Sequence, residues 1–183
     1  MLTNGAMLLI LDLDETLVHA SERPIGRDAD LRVGQYHVYH RPHLAQFLTG
    51  CAERFRLAFW TTGTEAYLTA VLFGTLPEGF EYEFAWGRRR CVRHFDSEFF
   101  DAYYIKDLKK VKRCGYDLRR ALIVDDTPSK VERHYGNAVY VPPFFGDPAD
   151  NVLPRLHDYL LTLSELADVR QVEKRGWYRT API

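Results

Sequence analysis

The stretch that decides the fold is residues 7–18, which read Met-Leu-Leu-Ile-Leu-Asp-Leu-Asp-Glu-Thr-Leu-Val. Its first half has the length of a β-strand and is apolar on both faces, as the central strand of a parallel sheet must be. Two aspartates, Asp12 and Asp14, follow where this strand ends, at the edge where open α/β sheets bind ligands. Two carboxylates held together there need a cation or a proton between them. The arrangement favours a Mg²⁺-assisted reaction with a carboxylate nucleophile over a plain strand end followed by a polar turn.

The rest of the chain alternates between predicted strands and predicted helices. Further apolar strands are predicted at residues 55–60, 122–124 and 138–141. Helices are predicted to begin at Pro42, after Thr64, at Pro128 and at residue 150. This alternation predicts an α/β domain with a doubly wound parallel sheet.

Only short segments interrupt this alternation. Residues 20–34 are polar and predict a loop or flap over the end of the first strand, while short strands are predicted at residues 36–39, 82–86 and 91–94. No interval is long enough for a large cap domain, so we expect an open site. We expect one domain over residues 1–164, followed by a tail, residues 165–183, that packs only in part.

Length and composition limit the class of protein. A chain of 183 residues with a formal net charge of −1 predicts a globular domain without general affinity for nucleic acid or anionic membranes. We expect neither a signal peptide nor a membrane-spanning segment. The three cysteines, Cys51, Cys91 and Cys114, form no Cys-x-x-Cys pair. This favours a reducing compartment, the cytoplasm or a eukaryotic nucleus, and argues against structural zinc or a disulfide scaffold.

Residues 11–19, Leu-Asp-Leu-Asp-Glu-Thr-Leu-Val-His, resemble the opening motif of the FCP/SCP-type (NLI-interacting-factor-like) phosphatases of the haloacid-dehalogenase (HAD) superfamily. Four later segments resemble further motifs of this family in the same order, at residues 41–48, 59–62, 104–108 and 124–128. The resemblance covers about residues 7–164. It implies a HAD-like, Rossmann-like fold and a Mg²⁺-dependent phosphatase that acts through an aspartyl-phosphate on a phosphorylated protein or peptide.

The resemblance also implies which residues carry the reaction. Asp12 corresponds to the nucleophile, and Asp14 to the general acid that protonates the leaving oxygen and then serves as the base for water. Thr61, at the end of the second strand, would hydrogen-bond a phosphoryl oxygen. Lys106 would neutralise phosphate charge and orient Asp12.

The same family pattern implies a metal site. Mg²⁺, which prefers oxygen ligands, would be held by Asp12, by Asp14 through its main-chain carbonyl, and by the pair Asp125 and Asp126. The SCP-type form of the motif has Asn where this chain has Asp126. We assign Asp126 to the metal, and Asp125 to an ion pair with Lys106 or to a water-mediated contact with the metal.

Residues predicted to bind the substrate follow the second strand. They are Thr62, Tyr67, Arg88 and Arg90. Tyr67 aligns with a family aromatic residue near the substrate groove, although its helical position would also suit the core. Thr62 is the neighbour that would replace Thr61 if the register were shifted by one residue. The two arginines belong to a basic cluster with Arg89 and Arg93, which could recognise acidic or phosphorylated flanks of a substrate or form a solvated strand face. An aromatic cluster follows, and its burial is expected because such clusters usually pack: Phe95, Phe99 and Phe100.

The prediction that follows is a protein serine/threonine phosphatase. Two alternatives stay open: a phosphatase for a small molecule such as a sugar phosphate or nucleotide, and a phosphoprotein-binding scaffold without turnover. Glu22 stands where the SCP-type groove carries an aromatic residue. This departure weakens the inference that the substrate is an RNA polymerase tail. The spacing from Cys114 to Arg120 also matches cysteine-dependent phosphatases, but it contains a single glycine and precedes a strand, so we treat it as chance.

Overall fold

The computed structural model of the chain describes residues 6–96 and 101–180. The strands in these ranges are β1 (Met7–Leu11), β2 (Val18–Ser21), β3 (Leu31–Val33), β4 (Tyr36–His40), β5 (Phe55–Trp60), β6 (Ala85–Trp86), β7 (Val92–Asp96), β8 (Asp101–Ile105), β9 (Ala121–Asp125) and β10 (Ala138–Tyr140). The α-helices are α1 (Leu44–Ala52), α2 (Glu65–Thr75), α3 (Lys109–Arg113), α4 (Val152–Ser164) and α5 (Trp177–Thr180). Short 3₁₀ segments span Arg88–Arg90, Leu118–Arg120, Pro128–Asn137 and Val169–Gln171.

β1 lies at the centre of a five-stranded parallel sheet with the order β10-β9-β1-β5-β6. All residues of β1 are buried, and Leu9 pairs with Leu57 of β5 on one side and with Leu122 of β9 on the other. The chain winds outward from β1 through β5 to β6 and then returns to form β9 and β10 on the other side. The predicted doubly wound sheet is therefore confirmed, and the reversal of winding lies beside the end of β1, where such sheets bind ligands.

Helices cover both faces of this sheet. Because strand side chains alternate, Met7, Leu9 and Leu11 join the apolar core that contains α1, α2 and α4. Leu8 and Ile10 join the second apolar core, which contains α3 and the segment Pro128–Asn137. β1 is thus buried on both faces, which explains its unbroken apolar sequence.

A small antiparallel sheet with the order β2-β4-β3 follows β1. The prediction of a loop over residues 20–34 is therefore wrong in part, because both ends of that segment pair with the two edges of β4. These strands are short and partly exposed, so they lack the apolar alternation by which a strand is recognised in a sequence. This sheet is the small insertion of the fold, and the described residues contain no large cap domain.

Two helix starts differ from their prediction. α1 begins at Leu44 and not at Pro42, because His43 between them adopts a left-handed φ of 66°. The residues after Pro128 form a 3₁₀ segment interrupted by non-helical backbone, and not an α-helix. The prediction for α2 is confirmed, since the Thr64 hydroxyl accepts a hydrogen bond from a backbone N–H of the first turn at 3.2 Å.

β7 and β8 form a separate two-stranded ribbon. Phe95 lies on this ribbon and is 57% exposed, so its expected burial is wrong, because β7 belongs to the ribbon and not to the buried central sheet. Phe99 and Phe100 lie outside the described residues. The strand predicted at residues 82–86 is limited to β6.

The segment after α4 returns to the apolar core. Val169 and Trp177 are buried, and the Trp177 ring stacks on Tyr159 of α4 with a centroid distance of 5.3 Å. The domain boundary at residue 164 stays a prediction. Cys51 and Cys91 are buried and Cys114 is exposed, and all three are free thiols. Within residues 6–96 and 101–180, none of the helices has the length and apolar character needed to cross a bilayer.

Candidate active site

Polar side chains converge at the carboxyl edge of the central sheet. Asp12 follows β1, Thr61 follows β5, and Asp125 is the last residue of β9. The Asp12 N–H donates to the carbonyl of Val124 at 3.0 Å, so the parallel ladder continues one residue beyond β1 and fixes the Asp12 backbone. Lys106, which follows β8, reaches the same edge with its side chain.

Asp12, Lys106 and Asp125 form a buried ion cluster. The Lys106 ammonium lies 2.7 Å from Asp12 Oδ1 and 2.6 Å from Asp125 Oδ2, and each of the three side chains is at most 1% exposed. Buried charges persist only when they are paired and hydrogen-bonded. Burial alone would raise the pKa of Asp12, but Lys106, Lys130 and the N–H of Leu13 outweigh it, and the pKa lies below its ordinary value. Asp12 is thus held as a carboxylate.

Asp125 shares Lys106 with Asp12 but has the opposite shift. Burial and the neighbouring charge of Asp12 raise the pKa of Asp125 above its ordinary value. Its second oxygen, Oδ1, accepts the N–H of Thr127 at 2.9 Å. Of the two carboxylates on Lys106, Asp12 is therefore the better candidate for an ionised nucleophile.

Asp14, two residues after Asp12, is hydrogen-bonded to hydroxyl groups. Its Oδ1 accepts the Tyr67 hydroxyl proton at 2.5 Å, and its Oδ2 accepts the Thr61 hydroxyl proton at 3.1 Å. Burial and the charge of Asp12 raise the pKa of Asp14, and these two hydrogen bonds only moderate the shift. A carboxyl group with a raised pKa is suited to hold and transfer a proton. Tyr67 and Thr61, predicted to contact the substrate and a phosphoryl oxygen, are placed by the structure on this carboxylate.

Three carboxylates at this edge could hold a metal ion. Asp12, Asp125 and Asp126 each offer one oxygen, and these oxygens all lie within 4.8 Å of one another. The donors are oxygens alone, without histidine or cysteine, which fits Mg²⁺ and argues against zinc. Among the described residues, this group of carboxylates does not include the Asp14 side chain. Its predicted contact was through the main-chain carbonyl.

Lys130 is a site residue that sequence reasoning missed. Its ammonium lies 3.1 Å from Asp12 Oδ2 and 3.2 Å from Asp126 Oδ1, and its side chain is 19% exposed. The carbonyl of Lys130 accepts the N–H of Lys106 at 2.7 Å, which ties the two lysines through the backbone. The available signal was the spacing of four residues from Asp126 to Lys130, which is typical of ion pairs on one helical face.

Glu15 is a second missed residue. It follows Asp14 directly and adopts a left-handed φ of 57°, which is uncommon for a residue other than glycine. Its Oε1 lies 3.1 Å from His19 Nδ1. Burial, followed by the charges of Asp14 and Asp126, raises the pKa of Glu15 to about 7. Its position inside the opening motif was the signal that could have identified it.

A groove of about 300 Å³ opens beside Asp14. Tyr67 and Arg88 line it, together with Tyr36 and Glu15. Thr62 and Arg90, also predicted to bind substrate, do not line this groove. The Thr62 carbonyl accepts a hydrogen bond from Arg88 Nε at 2.7 Å, and the Arg90 guanidinium lies over the ring of Trp86 at 5.0 Å. The structure therefore brings only part of the predicted substrate set to the groove.

The parallel sheet and the acidic cluster at the end of its central strand define a HAD-like α/β domain. The solved structure titled "The Structure of Fcp1, an essential RNA polymerase II CTD phosphatase" superposes with a TM-score of 0.67 and 19% sequence identity, covering 87% of this chain and 62% of that one. The family model of NLI interacting factor-like phosphatases matches residues 7–170. The chain belongs to this family, and the recognition made from its motifs is confirmed.

Curated relatives are similar over most of the chain. A "Probable C-terminal domain small phosphatase" from Dictyostelium discoideum is 33% identical over 175 residues, which is 92% of this chain and 54% of the relative. The human "Carboxy-terminal domain RNA polymerase II polypeptide A small phosphatase 1" is 33% identical over 171 residues, 90% of this chain and 62% of the relative. The chain thus spans less than two thirds of the length of either relative.

Proposed function

We propose that the protein is a Mg²⁺-dependent phosphomonoesterase that acts through an aspartyl-phosphate on Asp12. One observation carries this proposal: the buried Asp12 carboxylate lies 2.7 and 3.1 Å from the ammonium groups of Lys106 and Lys130. The nearby Asp14 carboxyl group contacts only hydroxyl groups among the hydrogen bonds described above, and its pKa is raised. A nucleophile needs the first property and a general acid needs the second. Two neighbouring aspartates whose surroundings push their pKa values apart supply both roles within one motif.

Each residue of the site has a distinct task in this reaction. Asp12 attacks phosphorus, while Lys106 compensates the negative charge that accumulates as two anions approach. Asp14 protonates the leaving oxygen and then takes a proton from the water that hydrolyses the aspartyl-phosphate. Thr61 and Tyr67 hold the Asp14 carboxyl group in place through their hydroxyl protons.

The metal would be held by Asp12 and Asp126, with the Asp14 main-chain carbonyl, and by Asp125 either directly or through water. When bound, Mg²⁺ would supply positive charge to the phosphoryl oxygens. The oxygen-only donor set supports this assignment.

The substrate we propose is phosphoserine or phosphothreonine in a protein or peptide. The names of the relatives support this class, since both are called C-terminal or carboxy-terminal domain small phosphatases. The groove beside Asp14 is bordered by Arg88, a residue suited to a phosphorylated or acidic flank of a peptide. The compartment, cytoplasm or nucleus, stays a prediction.

Hydrolysis of p-nitrophenyl phosphate tests the reaction. We expect activity with Mg²⁺, loss of activity with EDTA, and loss of activity in Asp12→Asn. Asp117→Asn is the matched control, since Asp117 is an exposed carboxylate paired with Arg119 away from the site. Activity that survives both EDTA and Asp12→Asn would refute the aspartyl-phosphate mechanism.

A substrate panel tests the second half of the proposal. Phosphoserine, phosphothreonine and phosphotyrosine peptides are compared with a hexose phosphate and a nucleoside monophosphate by release of inorganic phosphate. We expect the highest kcat/KM for the phosphoserine or phosphothreonine peptides. A higher value for either small molecule would refute the proposed substrate class, and stoichiometric phosphopeptide binding without phosphate release would identify a scaffold.

A further inference from the structure

The Lys130 ammonium lies among the carboxylates assigned to the metal. It contacts Asp12 Oδ2 at 3.1 Å and Asp126 Oδ1 at 3.2 Å, and lies 3.8 Å from Asp125 Oδ1. Lys106 contacts two of these three aspartates, whereas Lys130 lies within ion-pair distance of all three. Lys130 therefore lies against the same three carboxylates that would hold a divalent cation.

In both Asp12 and Asp126, one carboxylate oxygen binds other groups of the site and the second oxygen contacts Lys130. Asp12 Oδ1 already accepts from the Lys106 ammonium and from the Leu13 N–H at 2.8 Å. Asp126 Oδ2 already accepts the Thr127 hydroxyl proton at 2.8 Å. Asp12 Oδ2 and Asp126 Oδ1, the two oxygens that Lys130 contacts, are therefore the oxygens most available to a cation that binds both acids.

The two lysines of the site differ in their freedom to move. Lys106 is fully buried between two carboxylates, and displacing its ammonium would remove the nearest counter-ion of both, at 2.7 and 2.6 Å. Lys130 is partly exposed at the same cluster, and its four-carbon stem can turn while its backbone remains bonded to Lys106. Lys130 is thus the cation that can leave when a metal arrives.

We propose that Lys130 competes with the divalent cation for Asp12 Oδ2 and Asp126 Oδ1 and thereby sets the cation affinity of the site. The inference rests on the metal site of the proposed function. Binding of a cation requires the Lys130 ammonium to give up both contacts. The free energy lost with these contacts weakens the net binding of the cation. The lysine also neutralises the acids when the cation leaves, which keeps the cluster stable in both states.

Isothermal titration calorimetry with MgCl₂, and in parallel with MnCl₂, measures this competition directly. Lys130→Met removes the ammonium but keeps an unbranched side chain of similar length, and we expect its Kd for the cation to fall about tenfold or more below that of the wild type. Lys130→Arg keeps the charge and is expected to stay close to the wild type. Lys112→Met, at an exposed position on α3, is the matched control and should leave the Kd unchanged. An equal or higher Kd in Lys130→Met, or no binding to either protein, overturns the proposal.

A second readout uses the unfolding temperature. Without cation, Lys130→Met should unfold at a lower temperature than the wild type because its carboxylates repel one another. Added Mg²⁺ should then raise its unfolding temperature by more than it raises that of the wild type, because tighter binding stabilises more. An equal Mg²⁺-dependent rise would contradict the competition. Lys130→Gln gives the same comparison if the methionine variant does not fold.

These measurements separate the inference from the proposed function. Both use the cation alone, without a phosphorylated substrate. A lower Kd in Lys130→Met in a protein that hydrolyses no phosphomonoester would support the inference and refute the proposed function. Mg²⁺-dependent hydrolysis, together with the same Kd in the wild type and in Lys130→Met, would support the proposed function and refute the inference.

Discussion

Replacing Arg41 with methionine removes a buried guanidinium that ties together four segments around the site. Arg41 is 1% exposed and donates from Nε and Nη2 to the two carboxylate oxygens of Asp150, at 2.9 and 2.8 Å. It also donates to the carbonyl of Thr16, in the turn after Asp14, and to the carbonyl of Pro142, at 3.0 and 2.9 Å. Methionine leaves Asp150, which is 14% exposed, without its counter-ion.

The cost follows from this burial. Removing one partner of a buried ion pair destabilises a protein by about 3–5 kcal/mol. A domain of this size loses about 2–4 °C in unfolding temperature for each kcal/mol, so Arg41→Met should unfold about 6–20 °C lower than the wild type. A thermal melt measures the shift in unfolding temperature. Urea denaturation measures the loss of free energy through the shift of its midpoint, provided that the m-value is unchanged.

A surface pair supplies the control. Arg56 makes the same two-bond contact with Glu83, at 2.7 and 2.6 Å, but the two side chains are 41% and 27% exposed. Arg56→Met should therefore cost only about 0–1 kcal/mol. If Arg41→Met loses no more stability than Arg56→Met, the role assigned to the buried guanidinium is wrong.

Three further predictions concern single side chains. Tyr67→Phe removes the hydroxyl that hydrogen-bonds the Asp14 carboxyl group. An ordinary hydrogen bond is worth about 0.5–1.5 kcal/mol, so kcat on a phosphopeptide should fall roughly twofold to tenfold. An unchanged kcat would count against the orientation of Asp14 by Tyr67. Burial alone would raise the pKa of Asp107, but hydrogen bonds from its neighbours outweigh it and lower the pKa to about 2. The ionised form therefore contributes stability that is fully present above about pH 4 and is lost as the pH falls towards 2. The difference in urea midpoint between the wild type and Asp107→Asn should narrow over that pH range. A constant difference would refute the pairing of Asp107 with its neighbours. Cys114→Ser should leave phosphatase activity unchanged, and loss of activity in steady-state kinetics would revive the cysteine-dependent alternative.

The central sheet was predictable because its strands are apolar and continuous. β1 and β9 bury both faces, and β5 does so except at Arg56, so all three stand out in the sequence as apolar runs. The aspartates that follow them were predictable for the same reason, since charge directly after a buried strand stands out. The flap strands β2 and β3 are short and half exposed, and their pairing depends on β4, which no local pattern reveals.

The candidate site was predictable in its short-range parts and not in its long-range contacts. Lys130 reaches Asp12 across 118 positions of the chain, from a 3₁₀ segment whose backbone direction cannot be read from a helical pattern. The contact of Tyr67 with Asp14 likewise depends on how α2 is placed against β1. The spacing from Asp126 to Lys130 indicates an ion pair between those two residues, but no local pattern indicates the contact of Lys130 with Asp12 or that of Tyr67 with Asp14.

The central strand of the sheet also constrains the order in which a newly synthesised chain can fold. β1 needs β9 for one of its two edges, and Asp12 needs Lys106 and Lys130 as counter-ions, all of which are synthesised after β5. A nascent chain that has left the ribosome only as far as β5 must keep Asp12 in water, because burying a carboxylate without a cation is costly. The site can therefore form only after β9 and the two lysines have been synthesised. A chain stalled before residue 106 should remain sensitive to protease along its first strand.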